Sequence, residues 1–248
     1  MLDAQSRVQF FIKFFGEETH AEQFLDGKLY MRKLKYFQNL ESRHEGDGRP
    51  DANEGVVAWH QPDRVLLEID IPGIGKIKLG PADLGGPVSI SKYVYSEMHV
   101  FCMTALSITD PSKMTGDRIQ IEAQLQNQIN LDARCIDFGP YAVLIKPAPF
   151  IKLLRNALRN SGNWYRAERV QYYDEKSFHG EFTEQEVPFR KQSGFSYQKE
   201  YRVCMLRDES TDDAVTLEIG SIREFAVMMP SSEVNSRLVI RLDDRGNG

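Results

Sequence analysis

The run Tyr197-Gln198-Lys199-Glu200-Tyr201-Arg202-Val203-Cys204 concentrates the chemistry of this chain. In an extended strand successive side chains alternate between faces, so Gln198, Glu200, Arg202 and Cys204 would share one side. A carboxylate and a guanidinium in line with a carboxamide suit two roles. One is the floor of a polar cleft where Glu200 acts on a ligand. The other is an edge strand with a solvated face and a Glu–Arg pair along it.

A second chemical segment is the loop Glu41 to Gly55, ESRHEGDGRPDANEG, with five acids, two arginines, three glycines and a proline. Its glycine content and mixed charge predict a mobile connection beside a ligand site. Within it Arg49 is the residue best suited to an anionic ligand, because a guanidinium forks onto phosphate. Other common chemistries lack support. The chain carries no P-loop, no GxGxxG, no HExxH and no GxSxG pattern. Its five histidines are dispersed, and His99, inside an apolar run, reads as a core residue. The three cysteines, Cys102, Cys135 and Cys204, lack the spacing of a disulfide framework or a metal site.

Regular elements must position these residues. The near-continuous apolar runs Arg7–Phe15, Met98–Leu106, Tyr141–Ile145 and Tyr201–Leu206 predict internal strands covered on both faces. Leu29–Met31, Val170–Tyr173, Val215–Ile219 and Phe225–Met229 predict further strands, and Leu66–Leu79 a hairpin about its PGIG turn. Thr19 is the expected cap of a short helix over Ala21–Leu25, and Leu34, Phe37 and Leu40 suit another. Asp117 is set to cap a helix carrying Ile121, Leu125 and Ile129, while Ile119 and Ile121 also fit a strand. Phe150, Leu153, Leu154, Ala157 and Leu158 keep helical spacing. The expectation is a single α+β domain over residues 1–248, mostly β, with a few flanking helices and a frayed end at 246–248.

Composition bounds the function classes. The chain has 248 residues, 31 Lys+Arg against 36 Asp+Glu, a net charge of −5 and 41% hydrophobic residues. These values suit a globular protein and argue against broad, non-specific nucleic-acid binding. No apolar run reaches the ~20 residues of a membrane span. The N-terminus shows no secretory pattern, and Cys102 and Cys204 sit in apolar runs, so a cytoplasmic protein without membrane contact is expected.

Gln198-Lys199-Glu200 resembles the Q/E-x-E motif of the ADP-ribosyltransferase superfamily, where it heads a strand late in the domain. Phe189-Arg190-Lys191 and Phe195-Ser196-Tyr197-Gln198-Lys199-Glu200-Tyr201-Arg202 also resemble the signature of an uncharacterised bacterial family associated with phage defence. Gly46 to Gly55 resembles that family's R-x-D-x-x-E-G element. Phe11–Phe15 followed by Ala21–Tyr30 is similar to the superfamily's opening strand, helix, glycine and short strand. No Ser-Thr-Ser triplet is present, and Lys13 stands where the superfamily has Arg or His.

The resemblance implies two packed sheets forming an NAD cleft, with NAD as substrate and no metal. Glu200 would be the catalytic carboxylate and Gln198 would orient the acceptor. Lys13 or Arg49 would neutralise the pyrophosphate, Tyr30 or Tyr36 would stack on the nicotinamide, and Thr104 and Ser107 would end the middle strand. The acceptor would be a macromolecule (RNA, DNA or protein), in a toxin or anti-phage effector, with an antitoxin or inhibitor as a further partner. NAD hydrolysis on the same scaffold and a non-enzymatic binding module are the alternatives.

Overall fold

The computed structural model describes residues 6–40, 51, 53–109, 114–207 and 213–242. It contains several sheets and a few helices, the mostly-β mixture the sequence predicts. The chain divides into two compact units, one of Met1–Arg32, His99–Arg169 and Tyr197–Gly248, the other of Lys33–Met98 and Val170–Ser196.

The first unit is built on an eight-stranded sheet. Its strands are β1 (Ser6–Phe15), β2 (Lys28–Lys33), β3 (His99–Thr109), β4 (Tyr141–Ile145), β5 (Trp164–Arg169), β6 (Glu200–Leu206), β7 (Ala214–Glu218) and β8 (Ala226–Pro230). The order is β7-β2-β3-β1-β4-β8, with β6 beside β3 and β5 beyond β6. β1 runs antiparallel to β3 and β4, and β6 runs antiparallel to β3 and β5. All four apolar runs are therefore strands inside this sheet, as expected.

Both faces of its centre are covered, which is why these strands read as apolar runs rather than alternating ones. Phe11, Phe101, Met103, Tyr201 and Val203 point to one core. Phe24 of the helix Glu18–Leu25, and Phe150, Leu154 and Leu158 of the helix Pro147–Asn160, close it. Ile12, Leu106 and Ala142 point the other way, into a core with Ile129, Leu131, Cys135 and Val234. Full burial of each large apolar side chain contributes roughly 1.5–3 kcal/mol.

Local signals set the helix ends. Pro147 opens its helix at a position where the missing N–H costs nothing. Asp117 caps Arg118–Ile129, accepting from Gln120 N while Gln120 reaches back to Asp117 N. The expected cap at Thr19 is corrected: the helix starts at Glu18, Thr19 lies inside it, and its hydroxyl donates to Glu17. Gly27 turns the chain into β2 with φ +91°, and a Cβ there would stand 2.0 Å from the Gly220 carbonyl oxygen. Only glycine meets both demands.

The second unit holds three small sheets. Gly180–Glu181, Val56–His60 and Val88–Ser91 form one, and Gln171–Tyr173 and Arg190–Gln192 a parallel pair. Leu67–Ile71 and Gly75–Leu79 form the expected hairpin, Leu67, Ile69 and Ile71 opposing Leu79, Ile77 and Gly75. Trp59, Tyr173, Phe178 and Phe182 make an aromatic cluster in which Phe178 and Phe182 stack at 4.5 Å. Among the described residues, no helix is long and apolar enough to cross a membrane.

Candidate functional site

The segment Tyr197–Cys204 is not one strand. Ser193–Gln198 is a 3-10 turn, Lys199 takes a left-handed backbone with φ +45°, and β6 begins at Glu200. Gln198 therefore stands before the strand, and strand alternation does not set its direction relative to Glu200. Alternation holds from Glu200 onward. Glu200, Arg202 and Cys204 share a face opposite the one that Tyr201 and Val203 bury in the aromatic core.

Lys199 fastens this bend at three points. Its ammonium donates to the carbonyls of Gln128 at 2.9 Å and Asn130 at 3.0 Å. Its own carbonyl accepts from Ala105 N on β3 at 2.8 Å. Gln128 and Asn130 lie at the C-terminal end of the helix Arg118–Ile129, where carbonyls lack helical partners and a cation is favoured. Burial pushes the Lys199 ammonium below its ordinary pKa.

Glu200 is 5% exposed and Arg202 is 1% exposed. The Arg202 guanidinium donates through Nε to Glu200 Oε1 at 2.7 Å. The Glu–Arg pair of the edge-strand reading is thus present, but not in its expected setting: β6 is flanked by β3 and β5, and the pair is buried. Arg202 opposes Glu168 of β5, and Arg166 pairs with Glu168 at 2.6 Å. The four charges form a row of alternating sign, closed at Glu200 and Arg202 and partly open at Glu168 and Arg166. Opposite charges facing each other across strands support the sheet.

Thr104, on β3, opposes Glu200 on one side and Ile12 on the other, so all three share a face. Gln198, two residues before Glu200, is buried, its amide 3.4 Å from the Tyr197 hydroxyl. The Arg134 guanidinium lies 3.8 Å above the Tyr197 ring. The structure thus brings Glu200 and Thr104 together, with Gln198 in the turn that precedes the strand of Glu200.

The remaining candidates are placed elsewhere. Lys13 follows Ile12 and so points to the other face, where its ammonium donates to the Cys102 carbonyl at 2.7 Å and lies 4.6 Å above the Phe101 ring. Ser107 also points there, accepting from the Arg169 guanidinium. Tyr30 is 54% exposed, on the face of β2 opposite Leu29 and Met31, with the Arg32 guanidinium 5.4 Å from its ring. Tyr36 belongs to the second unit, in the helix Leu34–Leu40, edge-on to Phe37 at 5.4 Å. Arg49 lies outside the described residues, as do Glu41 to Pro50 and the tail 246–248.

The described end of the loop is packed into the protein. Asp51 and Glu54 are buried. Glu54 pairs with Lys191 at 2.9 Å, both side chains sheltered from water. Asp51 Oδ1 accepts from Asn53 N at 2.9 Å. Burial, reinforced by the neighbouring Glu54 carboxylate, pushes the Asp51 pKa up to about 6. The Lys191 ammonium also lies 4.7 Å above the Phe195 ring. The R-x-D-x-x-E-G element and the Phe189-Arg190-Lys191 stretch therefore meet inside the second unit. A carboxylate escapes water there because a buried ammonium compensates it.

Two groups escaped the sequence reading: Lys199 as an anchor, and the Arg166–Glu168 pair. The second depends on register: Arg202 meets Glu168 because Cys204, not Arg202, stands opposite Arg166, and neither sequence stretch specifies that offset. Among the described residues no cluster of three or more His, Cys, Asp or Glu side chains forms a metal-binding group. No protein-family model matches this chain, and neither a curated protein nor a solved structure resembles it significantly.

Proposed function

We propose that this chain is an ADP-ribosyltransferase that moves ADP-ribose from NAD to a macromolecular acceptor, with Glu200 as its catalytic carboxylate. The observation that supports this reading is the setting of Glu200. It heads an internal strand, carries a charge fixed by the Arg202 guanidinium at 2.7 Å, and opposes Thr104 in register. Gln198, two residues before, is buried as well.

In the reaction the bond from the ribose C1′ to the nicotinamide nitrogen breaks, its electron pair leaving with nicotinamide. Positive charge develops on the ribose, and a fixed carboxylate beside it stabilises that charge without reorganising. The acceptor then bonds to C1′ and releases its proton. Glu200 supplies the negative charge and Gln198 orients the acceptor. Neutralising the pyrophosphate needs a cation on the Glu200 face. Lys13 is turned to the opposite face, whereas Tyr30 and Arg32 project from the side of β2 opposite the Leu29–Met31 core, as Glu200 does from β6. Such an activity suits a toxin or a phage-defence effector.

The test is incubation of the purified protein with NAD labelled in its adenylate half, alone and with RNA, DNA or total protein. Label on one acceptor class is the expected result. Free ADP-ribose without transfer would reassign the site to NAD hydrolysis. No nicotinamide release under any condition would overturn the reading and leave a binding module.

A further inference from the structure

We propose that Lys199 is a positioning residue that fixes Glu200 and Gln198 by anchoring the bend between them to the end of the helix Arg118–Ile129. The assignment of a catalytic purpose to that geometry rests on the reading of Glu200 given above. The anchoring itself rests on three observations.

First, Lys199 is the one non-glycine residue with positive φ among the described residues. A left-handed backbone is disfavoured for a side chain with a Cβ, so the surroundings must hold it. Second, those surroundings are visible: two carbonyls, of Gln128 and Asn130, grip the ammonium at 2.9 and 3.0 Å, and Ala105 N binds the Lys199 carbonyl at 2.8 Å. The backbone contact ties the bend to β3, and the side-chain contacts tie it to a different element. Third, this residue separates the turn that ends at Gln198 from the strand that starts at Glu200. A rotation at Lys199 moves Gln198 against Glu200, and no other residue lies between them.

The ammonium is committed to protein carbonyls, so Lys199 acts through its neighbours rather than on substrate. Glycine adopts the left-handed backbone freely, so Lys199→Gly removes the grip without opposing the bend. Lys199→Ala removes the grip and keeps the conformational penalty. Lys199→Arg retains a cation of comparable reach.

The experiment measures each variant twice. The first readout is the NMR signal of the Arg202 Nε–H, which donates to Glu200 and reports the geometry of that pair without any substrate. The second is nicotinamide release from NAD, separated into kcat and KM. Lys199→Ala and Lys199→Gly are expected to shift or broaden the Arg202 signal and to lower kcat, with KM within about twofold. Displacement of a catalytic group by about 1 Å costs on the order of 10²-fold. Lys199→Arg is expected to restore most of both. An Arg202 signal unchanged in both the Ala and the Gly variant overturns the proposal, whatever happens to thermal stability. If the Ala variant does not fold, the Gly variant decides by the same signal. If the wild-type protein releases no nicotinamide, the transferase reading fails, while the Arg202 signal still decides whether Lys199 holds Glu200.

Discussion

Replacing Arg202 with Met removes a guanidinium that is 1% exposed and leaves the Glu200 carboxylate, 5% exposed, without the donor that now sits 2.7 Å away. Met fills a similar length of cavity, so the lost charge dominates over lost volume. Breaking a buried pair by deleting one partner costs about 3–5 kcal/mol. Glu168, which opposes Arg202 in register, keeps Arg166 as a partner at 2.6 Å and adds little to that figure. Glu200→Gln should cost less, about 1–3 kcal/mol, because the carboxamide oxygen still accepts from Arg202 and Glu168 still faces that charge. The double variant should fall short of the sum of the two by at least about 1 kcal/mol, since the residues are in contact. Urea unfolding at pH 7 measures all three. Trp164 pairs with Leu206 at the end of β6, whereas Trp59 belongs to the second unit, so a Trp59→Phe background makes fluorescence report the sheet that carries the pair. An Arg202→Met variant within about 0.5 kcal/mol of the parent, the range of an ordinary surface change, would refute the claim that the pair is a buried one.

Two further outcomes follow from the buried titratable groups. Asp51, with a folded pKa raised to about 6 from 3.8, contributes stability that is complete below pH 3.8 and lost as pH rises through 6. Asp51→Asn should therefore flatten the dependence of unfolding free energy on pH between about 4 and 6, by up to roughly 3 kcal/mol; an unchanged slope would show that Asp51 meets water. Cys135, buried and pushed up to about 12, and Cys204, buried on β6, should resist a thiol reagent at pH 8 in the native protein, while half-buried Cys102 reacts; three equally fast thiols would contradict the packing.

The parts of the fold that were legible in the sequence are those where local pattern and tertiary setting agree. Arg7–Phe15 and Tyr141–Ile145 read as internal strands because both of their faces are covered; for Arg118–Ile129 the sequence left helix and strand open, and the Asp117 cap marks the helix that forms. Trp164–Arg169 was not legible. It pairs only with β6 among the described strands, and an edge strand that mixes aromatic and charged residues has no apolar run to betray it. The bend at Lys199 was illegible for a different reason. Nothing in a lysine marks a left-handed backbone, and the carbonyls that hold it belong to Gln128 and Asn130, far along the chain. Burial of Glu54 likewise depends on Lys191, far along the chain, so local composition showed only a charged, glycine-rich connection. Glu200 itself was legible as a chemical residue from its neighbours Gln198 and Arg202. That its partner is buried with it required the sheet.

The most direct measurement is the rate of nicotinamide release from NAD by the wild-type protein and by Glu200→Gln, at a urea-free pH 7 where unfolding curves show both to be folded. Gln keeps the shape of the side chain and removes its charge, so the comparison isolates electrostatic stabilisation of the ribosyl cation. Loss of one preorganised stabilising group costs about 2.7–4 kcal/mol, or 10²–10³ in rate. A wild-type protein that releases nicotinamide and a folded Glu200→Gln variant slowed by about that factor is the predicted result. Equal turnover in the two proteins, or none in either, would contradict the assignment of Glu200 as a catalytic carboxylate and leave its pair with Arg202 a structural one.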